Sequence, residues 1–290
     1  MRRRLALVAL ALTLVAGCGP SAGSAGAQPS PGVQAVLVSS AGEVLVGRKE
    51  RFPLGILDHN TPVSDATVKV HLFYLGSGGA QPRGDFDASF KGDGLNGAGV
   101  YVALPTFDVA GQWRAEITAL RPNGAHGVTT LAFDVSATPL APGPGQLAPR
   151  THNPTVADVP DVSYIDSGTP PDDMHGISIA DAIAQHRPTL VIFASPAFCT
   201  SRICGPEVDV VRSLEPDYKG RLTFVHVEVY TNFKPDPSRR SYAQAVLDWR
   251  LQSEPWIFLI DPGGVIQARF EGPAARDEVK SAVDAMLAAP

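Results

Sequence analysis

Two cysteines, Cys199 and Cys204, follow the apolar run TLVIFASPAF with Thr200, Ser201, Arg202 and Ile203 between them. A local pair of thiols can cycle between dithiol and disulfide: a thiolate attacks, and the neighbouring thiol resolves the mixed intermediate. The chain holds a third cysteine, Cys18, at the end of a short apolar N-terminal stretch. In an exported chain an odd cysteine count leaves one thiol over. If Cys18 is engaged elsewhere, one pair remains at the mouth of a buried strand, which predicts redox chemistry outside the cytoplasm.

The N-terminus supports export. Arg2, Arg3 and Arg4 precede an apolar stretch from Leu5 to Ala16 that is too short to span a bilayer. The run Val15-Ala16-Gly17-Cys18 resembles the lipobox of bacterial lipoproteins. That resemblance implies a signal peptide over 1–17 and a lipid on Cys18, with the body held at the extracytoplasmic face of the cell membrane. An ordinary secretory signal cleaved nearby is the alternative. Other segments are not apolar enough to span.

The chain must then supply a body that positions the pair. Its 290 residues suggest two domains, and 44% hydrophobic residues suffice for real cores. A net charge of −5 gives no electrostatic reason to expect nucleic acid as a partner. Gly and Pro concentrate in two stretches that read as linkers, a flexible one over 18–32 and a stiffer, Pro-rich one over 138–160. Between them, 33–137 reads as a β-sandwich domain. Its strand-like runs are Val33–Val38, Glu43–Val46, Arg51–Asp58, Thr67–Leu75, Gly99–Leu104, Gly111–Ala119 and Thr129–Val135. In VKVHLFYL, alternation puts Val68, Val70, Leu72 and Tyr74 on one face. The stretch GVYVALPTFDVAGQWRAEITA resembles immunoglobulin-like modules of the FixH/YtkA type in bacterial envelope proteins. Related modules bind copper through histidines, but His59, His71 and His126 lack ligand-like spacing. The module reads as a rigid spacer or docking unit, and neither a metal nor another cofactor is expected.

In the C-terminal part, apolar strand runs alternate with helical patterns: ISIADAIAQHR, TLVIF, Glu207–Glu215, LTFVHVEVY, Tyr242–Leu251, SEPWIFLID, VIQARFEG and Asp277–Leu287. Such alternation predicts an α/β sheet. FASPAFCTSRICGP, Glu254-Pro255 and the terminal hairpin with its helix resemble the thioredoxin fold of bacterial envelope proteins, over 161–290. The resemblance implies that Cys199 sits where the central strand gives way to a helix that opens near Cys204, and that Pro255 is a cis-proline packed against the pair. A helix N-terminus favours thiolate over thiol. Hence Cys199 is expected as nucleophile and Cys204 as resolving partner. Arg202 either adds positive charge there or points into solvent.

The chain departs from that pattern. Thioredoxins separate their cysteines by two residues, whereas four intervene here. Positions five apart on an ideal helix face different sides, so bridging requires Cys199 in the loop. Gly205-Pro206 fits if Pro206 is an early helix position. Glu254 either faces the pair, raising a thiol pKa or accepting a proton, or points away at the surface. Ile192 stands where thioredoxins commonly bury an aspartate. His226, Glu228 and Tyr230 share a strand face, either near the redox loop or as a polar layer under a covering segment.

Three functions follow. The first is a membrane-anchored thiol–disulfide oxidoreductase whose partners are envelope proteins with thiols or disulfides. The second is a non-catalytic envelope module using Cys199–Cys204 as a structural staple. The third is a copper-handling protein resembling the Sco type, which pairs wider-spaced cysteines with a distant histidine; here no histidine follows His226.

Overall fold

The structure is a computed structural model that describes residues 32–289. The signal segment, Cys18 and nearly all of the first linker lie outside the described residues. Pro31–Pro290 forms one compact unit. Among the described residues no helix is long and apolar enough to cross a membrane.

The first nine strands are β1 (Val33–Leu37), β2 (Val44–Leu45), β3 (Phe52–Asp58), β4 (Thr61–Pro62), β5 (Thr67–Gly76), β6 (Gly79–Lys91), β7 (Val100–Ala103), β8 (Gly111–Leu120) and β9 (His126–Ser136). They form one sheet in the order β1-β3-β7-β6-β5-β8-β9-β2, with β4 on β3. Strand β6 pairs with β5 along its first part and with β7 along its last three residues, so it carries the sheet from one half into the other. The alternation in β5 holds: Val68, Val70 and Leu72 are buried. They meet Phe52, Phe107 and Trp113, and the last two rings stand edge-to-face at 4.9 Å. Sequence reasoning passed over β6 because it is mostly polar and contains Gly84 and Pro82. The register slips between Leu72 and Phe73, beside Pro82, which is how a strand tolerates a proline.

The later elements are α1 (Ile179–Ala184), β10 (Thr189–Ala194), α2 (Cys204–Arg212), β11 (Thr223–Glu228), β12 (Tyr230–Thr231), β13 (Ser241–Tyr242), α3 (Gln244–Asp248), β14 (Trp256–Ile260), β15 (Ile266–Glu271) and α4 (Arg276–Ala288). A four-stranded sheet runs β11-β10-β14-β15. Every residue of β10 and β14 is buried, as strands covered on both faces require. Leu190, Ile192, Ile257 and Leu259 pack under α2 and α4 with Val208, Val211, Val279 and Val283. The alternate residues Val191, Phe193 and Phe258 pack on the other face with Ile179, Val246 and Trp249.

The expected class, an immunoglobulin-like sandwich domain followed by a separate α/β thioredoxin domain, is corrected by this architecture. Strand makes up 38% of the structure and helix 17%, so the molecule is mainly β and dominated by its large curled sheet. The second sheet is mixed, with one parallel and two antiparallel pairings, and α1 and α3 have only six and five residues. The physical reason lies in the helix boundaries. Tyr242 pairs with Tyr230 in a short ribbon, and Ala243 N–H donates to Val229 O at 2.9 Å, which consumes the start of the helix expected over Tyr242–Leu251. His186, at φ 53, ends the first helical pattern before Pro188.

The Pro-rich stretch 138–160 lies along the second sheet. Ala148 N–H donates to Gly264 O at 2.9 Å and Gly145 N–H to Ile266 O at 2.8 Å. Buried polar contacts tie the two sheets together. Arg269 meets Glu43 Oε2 at 2.6 Å, Glu43 O at 3.0 Å and Ala141 O at 3.2 Å. Arg51 donates to both Glu278 oxygens, at 3.0 and 3.1 Å, and to Pro273 O at 2.6 Å.

Candidate active site

Strand β10 delivers the chain into a loop that closes on itself before α2 begins at Cys204. Cys199 N–H donates to Ser195 O at 3.0 Å and Arg202 N–H to Cys199 O at 3.1 Å. Arg202 adopts φ 59, the left-handed conformation that reverses the backbone. This turn overcomes the five-position spacing. Both cysteines are free, and their sulfurs lie within 4.8 Å of one another and of a Glu254 carboxylate oxygen. The Glu254–Pro255 peptide is cis.

The two thiols are unequal. A hydrogen bond from Cys204 holds the Cys199 thiol down to about 5; Ser201 and the backbone N–H groups of Cys204 and Ile203 add to this against the cost of burial. Ser201 Oγ lies 3.2 Å from the Cys199 sulfur. Serving as that donor, and being buried, pushes the Cys204 thiol far up. Glu254 points at the pair, not away from it: burial and the Cys199 charge raise it to about 7, and its Oε2 is buried without a hydrogen-bond partner. Arg202 is exposed. The order of ionisation is therefore Cys199, then Glu254, then Cys204.

The pair sits beside a recess of about 610 Å³. Ser201, Ile203 and Glu254 line it together with Ile56 of β3 and with Val38 and Val63, which follow β1 and β4. Phe198 packs edge-on to Tyr230 at 5.9 Å and to Phe233 at 5.4 Å, with Arg240 over Phe198 at 5.1 Å. Tyr230 thus belongs to the loop's aromatic flank. His226 and Glu228 instead lie beneath a covering segment: His226 Nδ1 is 2.7 Å from Asp172 Oδ2, and Glu228 accepts from Ser167 N–H at 2.9 Å.

Sequence reasoning did not single out Asp166, Asp172 or His175. With His226 they form a buried cluster behind the loop. Burial disfavours the His175 cation, but Asp166 and Asp172 prevail and hold it at about 9. The spacing of Asp172 and His175 within PDDMHG was the available signal.

Glu207, in the first turn of α2, is buried and accepts from Ala274 N–H at 3.0 and 3.1 Å. Burial raises it from 4.5 to about 8. A carboxyl raised in the fold stabilises while protonated, so its contribution is complete below about pH 4.5 and lost as pH rises through about 8. Glu207→Gln is expected to remove about 2–4 kcal/mol of pH dependence over that window. Urea midpoints across the window check this; an unchanged slope would contradict it.

No family model matches the chain, and no curated protein matches it. Among solved structures it is similar to CopC from Methylosinus trichosporium OB3b, at 14% identity over 36% of this chain and 95% of that one, TM-score 0.23. It is similar to a DUF4426 family protein from Pseudomonas aeruginosa PAO1, at 13% over 37% and 90%, TM-score 0.26. The fibronectin type-III domain of a human protein matches at 16% over 40% and 94%, TM-score 0.22.

Proposed function

We propose that the chain is a thiol–disulfide oxidoreductase in which Cys199 attacks and Cys204 resolves. The observation that carries this reading is the placement of two free, buried thiols within 4.8 Å of one another and of the Glu254 carboxylate, next to a recess that Ser201, Ile203 and Glu254 line. The Cys199 thiolate attacks one sulfur of a substrate disulfide, forming the mixed disulfide and releasing the other as thiolate. Glu254 takes the Cys204 proton, and the Cys204 thiolate attacks the Cys199 sulfur. The second substrate thiolate leaves, the Cys199–Cys204 disulfide closes, and two electrons have passed to the substrate. The reverse sequence oxidises a substrate dithiol.

The lipobox-like run supports a lipid anchor on Cys18 and work at the extracytoplasmic face of the membrane, on envelope proteins carrying thiols or disulfides. Metabolic labelling with a fatty acid, lost in Cys18→Ser, checks the anchor.

Trapping tests the chemistry. Cys204→Ser is expected to accumulate mixed disulfides through Cys199, and Cys199→Ser/Cys204→Ser to accumulate none. A variant that stays monomeric against disulfide substrates overturns the proposal. So does a pair potential far below those of known oxidoreductases, which marks a structural staple. Glu254→Gln is expected to leave attack at about pH 6 unchanged and to slow resolution by about 10²- to 10⁴-fold, because the Cys204 proton then has no carboxylate to accept it. Rapid-quench measurement of mixed-disulfide decay reads that step. A soft-metal reading rests on the same two sulfurs and carboxylate. Stoichiometric Cu(I) uptake lost in Cys199→Ser, without disulfide exchange, would favour it.

A further inference from the structure

We propose that Asp166, Asp172, His175 and His226 form a site for a divalent cation of the zinc class, separate from the thiol pair. One donor atom from each lies within 4.8 Å of all the others, and every one of these side chains is almost fully buried. His175 Nε2 is 3.2 Å from Asp166 Oδ2 and 3.3 Å from Asp172 Oδ1, and His226 Nδ1 is 2.7 Å from Asp172 Oδ2 and 4.0 Å from Asp166 Oδ2. Tetrahedral zinc, with bonds of about 2.0–2.2 Å to nitrogen and oxygen, sets its donors about 3.3–3.5 Å apart. Small shifts therefore bring these atoms onto one ion. Two imidazoles and two carboxylates suit zinc better than calcium or magnesium, which prefer all-oxygen shells.

The surroundings orient the donors as ligands are usually oriented. His226 Nε2–H donates to Ala194 O at 3.2 Å, which leaves Nδ1 to face the carboxylates. Asp172 N–H donates to Asp166 Oδ2 at 2.7 Å, Gly168 N–H to Asp166 Oδ1 at 2.7 Å, and Met174 N–H to Asp172 Oδ1 at 2.9 Å. Charge also balances: two buried carboxylates are neutralised either by two imidazolium protons or by one dication with neutral imidazoles. Asp166 and Asp172 line a recess of about 370 Å³, which supplies an entry path. The ion would clamp segment 166–175 onto β11, behind the start of the redox loop.

The test uses the full chain carrying Cys199→Ser and Cys204→Ser, so that thiols take no part, stripped with chelator and titrated with Zn²⁺ or Co²⁺ alone. One equivalent is expected to bind, displacing protons, raising Tm and giving cobalt d–d bands of a nitrogen/oxygen site. Adding His226→Gln is expected to weaken binding by about 100-fold or more and abolish the metal-dependent Tm shift. If that variant does not fold, His175→Gln is read in the same way. No stoichiometric binding, or binding that survives both substitutions, overturns the proposal and leaves a proton-balanced ion-pair cluster. The outcome is independent of disulfide exchange, which is measured on the chain with its cysteines.

Discussion

Cys199 in the reduced chain is expected to alkylate with a midpoint near pH 5, and Cys204→Ala to slow alkylation at about pH 6 by roughly 10- to 100-fold. The effect runs through the donor. Cys204 gives the largest stabilisation of the Cys199 thiolate, ahead of Ser201 and the backbone amides. Without it, the thiol returns towards the ordinary range near 8.5, and only about 1% or less is ionised at pH 6. The weaker nucleophilicity of a low-pKa thiolate offsets part of the gain, which sets the fold-change below the change in thiolate fraction. Cys204→Ser keeps a hydroxyl donor and is expected to alkylate closer to the parent. Iodoacetamide kinetics across pH, followed by intact mass, separate the cases. Equal rates in the parent and Cys204→Ala would remove the inequality on which the exchange mechanism rests.

Arg269→Ala is expected to cost about 3–5 kcal/mol, a large share of the 5–15 kcal/mol typical of a folded chain. Arg269 joins the two sheets from a position where its side chain is 7% exposed and that of Glu43 only 2%. Truncation leaves the Glu43 carboxylate in the interior with Ala141 N–H as its hydrogen-bond donor, at 2.9 Å. Replacing both partners by Met should cost much less, because no charge is then stranded. Denaturant midpoints of the single and double variants check this; equal losses would mean that side-chain volume, not stranded charge, sets the cost.

Several features were legible in the chain because they depend on neighbours in sequence. The alternation of Val68, Val70 and Leu72 follows from the two-residue repeat of a strand, and the burial of Thr189–Ala194 follows from its unbroken apolar run. The thiol pair announced itself by residue type. Strand β6 did not, because its ladder comes from β5 and β7 and not from its own polar side chains. The separation into two domains was misread for a related reason. Linker composition describes a stretch of chain, whereas the Glu43–Arg269 contact joins residues 226 positions apart.

The amino-acid order alone determined which atoms are available: two sulfurs beside an apolar strand, a glutamate before Pro255, and imidazoles and carboxylates scattered from 166 to 226. Only tertiary structure decided their chemistry. A thiol's acidity depends on who donates to it, a carboxyl's on how much water it loses, and a ligand set on distances of a few ångströms. Those quantities arise when β10, β11 and the loop before β14 are brought side by side, and no local pattern encodes them.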